Sequence, residues 1–243
     1  MKDIDWIKRY GLEEDTLPGH VGIIMDGNGR WARNRHMPRT FGHKKGAEVV
    51  RDIVLSSSKF GVKALTIFAF STENWRRPKD EVDTIMTLLS QYLRNEIAAL
   101  NENDVVFRVI GDRSGLSKML LQLIEESEEL TRNNTGLRFN VAINYGSQAE
   151  ILNAAFALAK DYKEGKTALD REAFENRLYT SGLPMVDFLI RTSGELRISN
   201  FLLYQIAYAE LYFTDAYWPD FNTERYVEAL KDYSHRNRRF GGV

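Results

Sequence analysis

The chain has 243 residues, 43% hydrophobic and 28% charged, which is enough apolar content for one domain to bury a full core, and no Pro/Gly/Ser-rich linker divides it. A net charge of −1 argues against a general nucleic-acid binder, and the absence of cysteine excludes disulfides, thiolate catalysis and thiolate metal sites. No cysteine, no signal-peptide core in Met1-Lys2-Asp3-Ile4-Asp5 and no stretch approaching about 18 apolar residues lead us to expect an intracellular, cytoplasmic protein that does not span a membrane.

Residues 1–17 read as an N-terminal helix or arm. Within it Ile4, Trp6, Ile7 and Tyr10 form a short amphipathic segment, suited either to peripheral membrane contact or to packing on the domain. The apolar run Val21 to Met25 predicts a strand over 20–26. It ends in Asp26-Gly27-Asn28-Gly29-Arg30-Trp31-Ala32, where one carboxylate, two glycines and an arginine could bring backbone amides and a cation to a phosphate beside a divalent metal. Taken alone, the same residues also suit a simple turn.

From Arg30 to Lys45 the sequence carries Arg30, Arg33, Arg35, Arg39, Lys44 and Lys45 with His36 and His43, and no acid. In a nearly neutral chain this local excess points to a compact anion or to a basic surface loop. A helix is predicted over 42–59, and a strand over 63–70 that ends at Ser71. The next helix, 78–100, starts with Pro78 near its first position and with Asp80, Glu81 and Asp83 in its first turns. Its apolar stripe, Val82, Ile85, Met86, Leu88, Leu89, Tyr92, Leu93 and Ile97, is wider than a sheet needs for cover.

Strands are then expected over 105–111, 137–144, 186–191 and 211–213, with helices over 115–132, 147–163, 170–179 and 222–236; Glu125 to Glu129 reads as a solvated helix face. The alternation predicts a single α/β domain with a central, mainly parallel six-stranded sheet flanked by helices. Such sheets hold ligands at the carboxyl ends of their strands, where Asp26 and Ser71 would both fall. A second cation cluster, Arg191-Thr192-Ser193-Gly194-Glu195-Leu196-Arg197-Ile198-Ser199, follows the strand that ends near Ile190 and suits a second phosphate group. A third, Arg236, Arg238 and Arg239, precedes Phe240-Gly241-Gly242 in the tail 236–243. Of the acids, Asp26 and Glu210 stand out as candidate metal ligands, and Glu210 reads alternatively as a buried acid paired with an arginine. The four histidines lack zinc-ligand spacing.

Several segments in fixed order resemble the cis-prenyltransferases, specifically the bacterial undecaprenyl diphosphate synthases: His20 to Ala32; Arg39-Thr40-Phe41-Gly42-His43; Phe70 to Trp75 with Arg77-Pro78 and Glu81; Ile190 to Gln205; Tyr208 to Phe213; and Trp218-Pro219-Asp220-Phe221. The resemblance implies successive condensation of isopentenyl diphosphate onto an allylic starter, normally farnesyl diphosphate, with each new double bond cis. It implies Mg²⁺ as cofactor, held by Asp26 and completed by Glu210. Gly27, Asn28, Gly29, Arg30, Trp31, Arg39, His43, Ser71, Thr72, Glu73, Trp75 and Arg77 would hold the allylic diphosphate. Arg191, Arg197, Ile198 and Ser199, with Arg239 and Gly241 of the tail, would hold isopentenyl diphosphate, the tail reaching the other subunit's site in a homodimer.

Asp26 would assist departure of the allylic diphosphate, the developing cation would sit near Trp31, Phe70 or Trp75, and Asn74, Ser71 and His43 would attend the proton that leaves. Asn74 would orient, because an amide is a poor base. An apolar tunnel would take the growing chain, lined by Ala47, Ala69, Ile85, Leu88, Leu89, Leu93, Val105 and Leu137. Where the family has Asn-Tyr-Gly-Gly-Arg this chain has Asn144-Tyr145-Gly146-Ser147-Gln148, and Tyr204 replaces a tryptophan. Relatives of the same fold that serve as non-catalytic scaffolds lack the Asp-Gly-Asn-Gly-Arg and Ser-x-Glu-Asn-Trp segments, both intact here.

Overall fold

The structure is a computed structural model and describes residues 2–236. Six strands form one sheet: β1 (His20–Ile24), β2 (Ala64–Ser71), β3 (Val106–Ile110), β4 (Arg138–Tyr145), β5 (Phe188–Thr192) and β6 (Glu210–Thr214). Every pairing is parallel, in the order β3-β4-β2-β1-β5-β6. β1 and β5 are buried along their whole length, as strands covered on both faces must be, and both read as nearly unbroken apolar runs.

The helices are α1 (Ile4–Arg9), α2 (Asn28–Asn34), α3 (Arg39–Phe60), α4 (Lys79–Glu102), α5 (Lys118–Thr131), α6 (Ser147–Lys163), α7 (Arg171–Glu175) and α8 (Thr223–Ser234). Alternation along the strands sends Ile23, Ile67, Val141 and Ile190 to a core shared with α3, α4, α5 and α8. Their neighbours Ile24, Ala142 and Leu189 face the opposite side, with Phe201 and Leu202. The sheet order reverses direction at β1, since the chain goes from β1 to β2, on to β3 at the edge and back to β4 between them, and only then places β5 and β6 on the other side of β1. The crevice at such a switch point, at the carboxyl ends of β1, β2 and β5, is where ligands of open α/β sheets bind.

Two expectations change. Residues 28–34, where the sequence pattern predicts no helix, form one, and the helix expected over 170–179 closes after Glu175. Of the apolar residues of the N-terminal segment, Ile7 is buried, Trp6 and Tyr10 pack against the core, and only Ile4 is exposed. Tyr10 meets Phe60 edge-on at 5.7 Å, and Lys59 lies 4.0 Å over the Trp6 ring. The face that a membrane would need is therefore turned into the domain. Among the described residues no helix is long and apolar enough to cross a membrane.

Ser147 and Gln148 fit the opposite face of the sheet. The Ser147 hydroxyl accepts a hydrogen bond from the Leu203 amide at 2.9 Å, and the Gln148 amide donates to Asn200 at 2.9 Å, so both tie α6 to the loop after β5. Tyr204 donates to Glu175 and meets Phe174 edge-on. Nearby, the buried Glu150 carboxylate accepts from the Tyr145 hydroxyl (2.6 Å), the Gln205 amide (3.1 Å) and the Tyr179 backbone (2.8 Å). Burial outweighs these three donors and raises its pKa above the ordinary 4.5. With a raised folded-state value, the native state holds the extra proton, so stability is greatest below pH 4.5 and falls as pH rises through the raised value. Glu150→Gln removes that dependence. Thermal unfolding of both forms across this window should show the wild type's advantage shrinking as pH rises; a constant difference would count against it.

Candidate active site

β1 delivers Asp26 to the crevice, and Gly27 follows at φ +101°, a left-handed turn that a side chain would strain and would drive into Ser193 and Tyr217. Gly27 caps α2, whose first amides have no partner inside the helix. α2 is clamped to α3 through two glycines on α3. A Cβ at Gly42 would overlap the Asn28 carbonyl, its carbon at 2.7 Å, and one at Gly46 would meet Asn28 and Trp218. These absent side chains let the Asp-Gly-Asn-Gly turn and the basic start of α3 share one surface.

Asp26 sits between two cations: Arg191 at 2.9 Å and Arg30 at 3.3 Å. Burial pushes its pKa up, but Arg191, the Gly27 N–H and Arg30 more than reverse this, so its carboxyl stays below the ordinary 3.8 and is ionised at neutral pH. The Thr192 hydroxyl fixes the turn by accepting from the Asp26 N–H (2.9 Å) and donating to its carbonyl (2.7 Å). Arg191 is buried and also donates to Ser199 at 2.7 Å and to the Arg197 carbonyl, which folds the loop after β5 back over the strand end. Ser193 and Ser199 take positive φ there, a conformation costly for residues other than glycine and concentrated at functional sites. Glu195 pairs with Arg30 at 2.8 Å and with Arg197.

A second cluster lies across the crevice. Glu81, nearly inaccessible, holds Arg77 at 3.0 Å, Arg39 at 3.4 Å and His43 at 3.4 Å. The last contact lacks hydrogen-bond geometry and leaves His43 Nε2 without a partner. Burial lowers the His43 pKa, Glu81 opposes this and Arg77 and Arg39 reinforce it, so the ring is neutral at physiological pH. Ser71 and Asn74 form a reciprocal capping box at the end of β2, Asn74 Oδ1 accepting from the Ser71 N–H at 3.2 Å. The Asn74 carbonyl oxygen is thus engaged in holding the turn.

Both clusters open on one cavity of about 420 Å³ between the sheet, α3 and α4. Asp26, Gly27, Asn28, Gly29, Arg30, Arg39, His43, Ser71, Asn74, Arg77, Arg191, Arg197 and Ser199 line it, as do Ala47, Ala69, Ile85, Leu88 and Leu89. The remaining expectations are placed elsewhere. Trp31 is turned away, with its Nε1 bonded to Asp220 at 2.7 Å and Arg35 stacked on its ring at 4.2 Å. Phe70 is in the core with Trp75 at its edge, and Trp75 donates to Asn144. Thr72 lies against Gly146, Glu73 accepts from Asn200, and Ile198 packs on the far side of the sheet. Leu93, Val105 and Leu137 are buried core residues and not cavity wall. Tyr92, Phe139 and Trp218 are the other aromatic residues of the cavity lining; Phe68 also borders it while its ring stacks on Phe201 on the far side of the sheet, and Arg33 joins the cations.

Within one chain the two candidate metal ligands lie apart. Glu210 opens β6 in register with Phe188, the first residue of β5, whereas Asp26 lies beside the last, Thr192. Four strand residues, about 13 Å, separate the two ends. Arg236 pairs with the Glu210 carboxylate at 3.0 Å, and both side chains are partly exposed. Among the described residues no group of three His, Asp or Glu side chains could hold an ion. Asp26 alone fits a hard cation such as Mg²⁺ that keeps its waters and takes its other oxygens from a diphosphate. Arg239 and Gly241 lie outside the described residues.

Cations at the mouth and hydrocarbon walls behind them suit a molecule with a diphosphate head and an apolar tail, which defines the class as enzymes acting on prenyl diphosphates. The family model described as "Putative undecaprenyl diphosphate synthase" matches residues 24–241. An isoprenyl transferase of Clostridium tetani is 49% identical over 97% of this chain and 93% of its own length. A ditrans,polycis-undecaprenyl-diphosphate synthase, (2E,6E)-farnesyl-diphosphate specific, of Pasteurella multocida is 50% identical over 96% and 98%. Lavandulyl diphosphate synthase from Lavandula x intermedia, solved with dimethylallyl diphosphate, superposes with a TM-score of 0.91 at 36% identity, covering 94% of this chain and all of that one. A probable undecaprenyl diphosphate synthase from Campylobacter jejuni superposes at 0.77 and 34% identity over 93% and 99%. The chain belongs to the undecaprenyl diphosphate synthase family of prenyl transferases.

Proposed function

We propose that the protein elongates an allylic diphosphate, farnesyl diphosphate, by successive cis condensation with isopentenyl diphosphate to give undecaprenyl diphosphate, a lipid-carrier precursor for cell-wall synthesis. The observation that carries this reading is the pair of cation clusters, one around Asp26 at the ends of β1 and β5 and one across the crevice around Glu81, opening on a single apolar cavity. Two diphosphates are thereby held head to head with one tail directed inward. Arg30, Arg39 and Arg77 hold the allylic diphosphate, and Arg191, Arg197 and Ser199 the isopentenyl one. Fixing both reactants in this way supplies much of the rate by proximity.

As the allylic carbon–oxygen bond breaks, negative charge grows on the departing diphosphate, and the guanidiniums are already oriented to receive it. Mg²⁺, when bound at Asp26, adds Lewis-acid stabilisation of the same charge. The cation left behind lies between the departing diphosphate and the cavity wall at Ala47 and Ala69. The new carbon–carbon bond forms between the allylic carbon and the isopentenyl double bond, and a proton then leaves the isopentenyl unit. Neutral His43, the Ser71 hydroxyl or the departed diphosphate accepts it, while Asn74 orients.

We further infer a homodimer: α6 exposes Leu152 and Phe156 one turn apart, and β6 is an edge strand with Leu211 exposed, surfaces a second copy would cover. The tail would complete the neighbouring site through Arg239 and Gly241, in a cytoplasmic enzyme that meets the membrane when its product leaves. Incubation of the purified chain with farnesyl diphosphate, labelled isopentenyl diphosphate and Mg²⁺, with and without chelator, should give a metal-dependent undecaprenyl product. No incorporation from farnesyl or geranyl starters would refute catalysis, and a different ladder would correct the product alone.

A further inference from the structure

Residues 33–41, from the last turn of α2 to the first turn of α3, are all exposed. They include two large apolar side chains, Met37 (42% exposed) and Phe41 (54%). The backbone presents them on a fixed corner: the Arg35 N–H donates to the Ala32 carbonyl (3.0 Å), the His36 N–H to that of Arg33 (3.0 Å) and the Met37 N–H to that of Ala32 (2.9 Å). Phe41 then stands on α3 with Lys44 and Lys45 three and four residues further on, so the three share one face of the helix.

Positive charge surrounds this apolar pair. No acid occurs between Arg30 and Lys45. Arg35 is engaged with Asp220 at 3.2 Å and Lys45 with Glu48 at 2.8 Å, whereas among the described residues Arg33 and Lys44 form no ion pair. Arg33, Arg39 and His43 also line the cavity, so the corner is the outer lip of its mouth. A diphosphate inside takes up the inward cations and leaves Met37, Phe41 and Lys44 unused. An extended polyanion would pair with the cations and leave both apolar side chains in water. An anionic bilayer supplies headgroups to the cations and an acyl boundary to Met37 and Phe41, and the two attractions add. A polyprenyl tail also exposes too much apolar surface to be released into water, so a mouth seated on lipid gives it somewhere to go.

We propose that the corner 33–45 docks the protein on an anionic lipid bilayer, with Met37 and Phe41 entering the boundary between headgroups and acyl chains and with Arg33 and Lys44 pairing with lipid phosphates. This rests on the polyprenyl-forming reading above and places the cavity mouth against the phase that takes the product. The test sediments the full-length protein with vesicles of phosphatidylglycerol and with vesicles of phosphatidylcholine, at about 0.1 M and about 0.5 M salt. Wild type should bind phosphatidylglycerol alone and lose most of that binding at the higher salt. The double variant Met37→Ser, Phe41→Ser should bind about tenfold more weakly, and Lys44→Glu about threefold more weakly. Both should keep the wild type's unfolding midpoint and its rate of first condensation in solution, because these side chains point to solvent. Should the double variant fail to fold, Lys44→Glu decides by itself, since unchanged binding overturns the proposal. A wild type that ignores phosphatidylglycerol, or binds both lipids alike, overturns it too, as does a wild-type dimer that the double variant splits, which would assign the corner to a second copy. Vesicle binding is read without substrate, so a protein that docks through Met37 and Phe41 yet makes no polyprenyl product defeats the synthase reading alone.

Discussion

Asp26→Asn is expected to lower kcat/KM for the first condensation by about a thousandfold, roughly 4 kcal/mol of transition-state stabilisation. The amide keeps the shape of the side chain and loses the charge, which is what the site uses. Among the described residues Asp26 is the only carboxylate lining the cavity, and it stands between Arg191 and Arg30. Without it a divalent cation has no anionic anchor, and Arg191, buried with Nε already unpartnered, loses its counter-charge. Removing one partner of a buried pair can cost about 3–5 kcal/mol of stability, but the asparagine oxygen still accepts from Arg191, so we expect about 1–2 kcal/mol. Kinetics therefore falls further than folding.

Single-turnover assays beside urea unfolding separate the two effects. A kcat/KM within tenfold of wild type would remove Asp26 from the chemistry. Because the Asp26 carboxyl titrates below 3.8, its contribution to stability is present above that value and is lost only as pH falls through the depressed one. Any acid limb in the activity profile near neutrality must then come from another group.

Much of this site is legible in the sequence because its parts are local. Asp26 through Arg30 follow one strand, Arg191 through Ser199 follow another, and a parallel sheet puts strand ends together. What the residues alone leave open concerns direction and parity. Glu210 is an isolated acid in an aromatic stretch, but only the register of β6 reveals that it begins the strand, at the end of the sheet opposite Asp26. Phe70 and Phe68 have the same alternation in the sequence, yet β2 has register shifts at this point, so Ala69 and Phe70 both turn to the face of the main core while Phe68 packs on the opposite face against Phe201. The broad stripe of α4 serves two partners. Periodicity identifies its apolar face without dividing Leu88 and Leu89, at the cavity, from Leu93, in the core. Glu81, read as a helix-start acid, is the hub of three basic side chains, which no pairwise spacing announces.

Gly42→Ala tests whether the packing of α2 on α3 sets the chemistry. In an exposed helix the change would stabilise by about 1 kcal/mol, since alanine is the better helix former. Here the added methyl meets the backbone of Asn28, which no rotamer change can move aside, so α2 must shift as a body. Overpacking of this kind costs about 1–3 kcal/mol and outweighs the propensity gain. The displaced turn carries Gly29 and Arg30, and a misplacement of about 1 Å in a positioning group can cost about a hundredfold. The expected variant is thus destabilised by about 2 kcal/mol in urea, with kcat/KM for the allylic starter reduced tenfold to a hundredfold. Its far-ultraviolet circular dichroism should match the wild type's, because the sheet and the remainder of α3 do not depend on this contact. A variant as stable and as active as wild type would mean that α2 can move without consequence, and that the arginines hold the diphosphate without help from the turn beneath it.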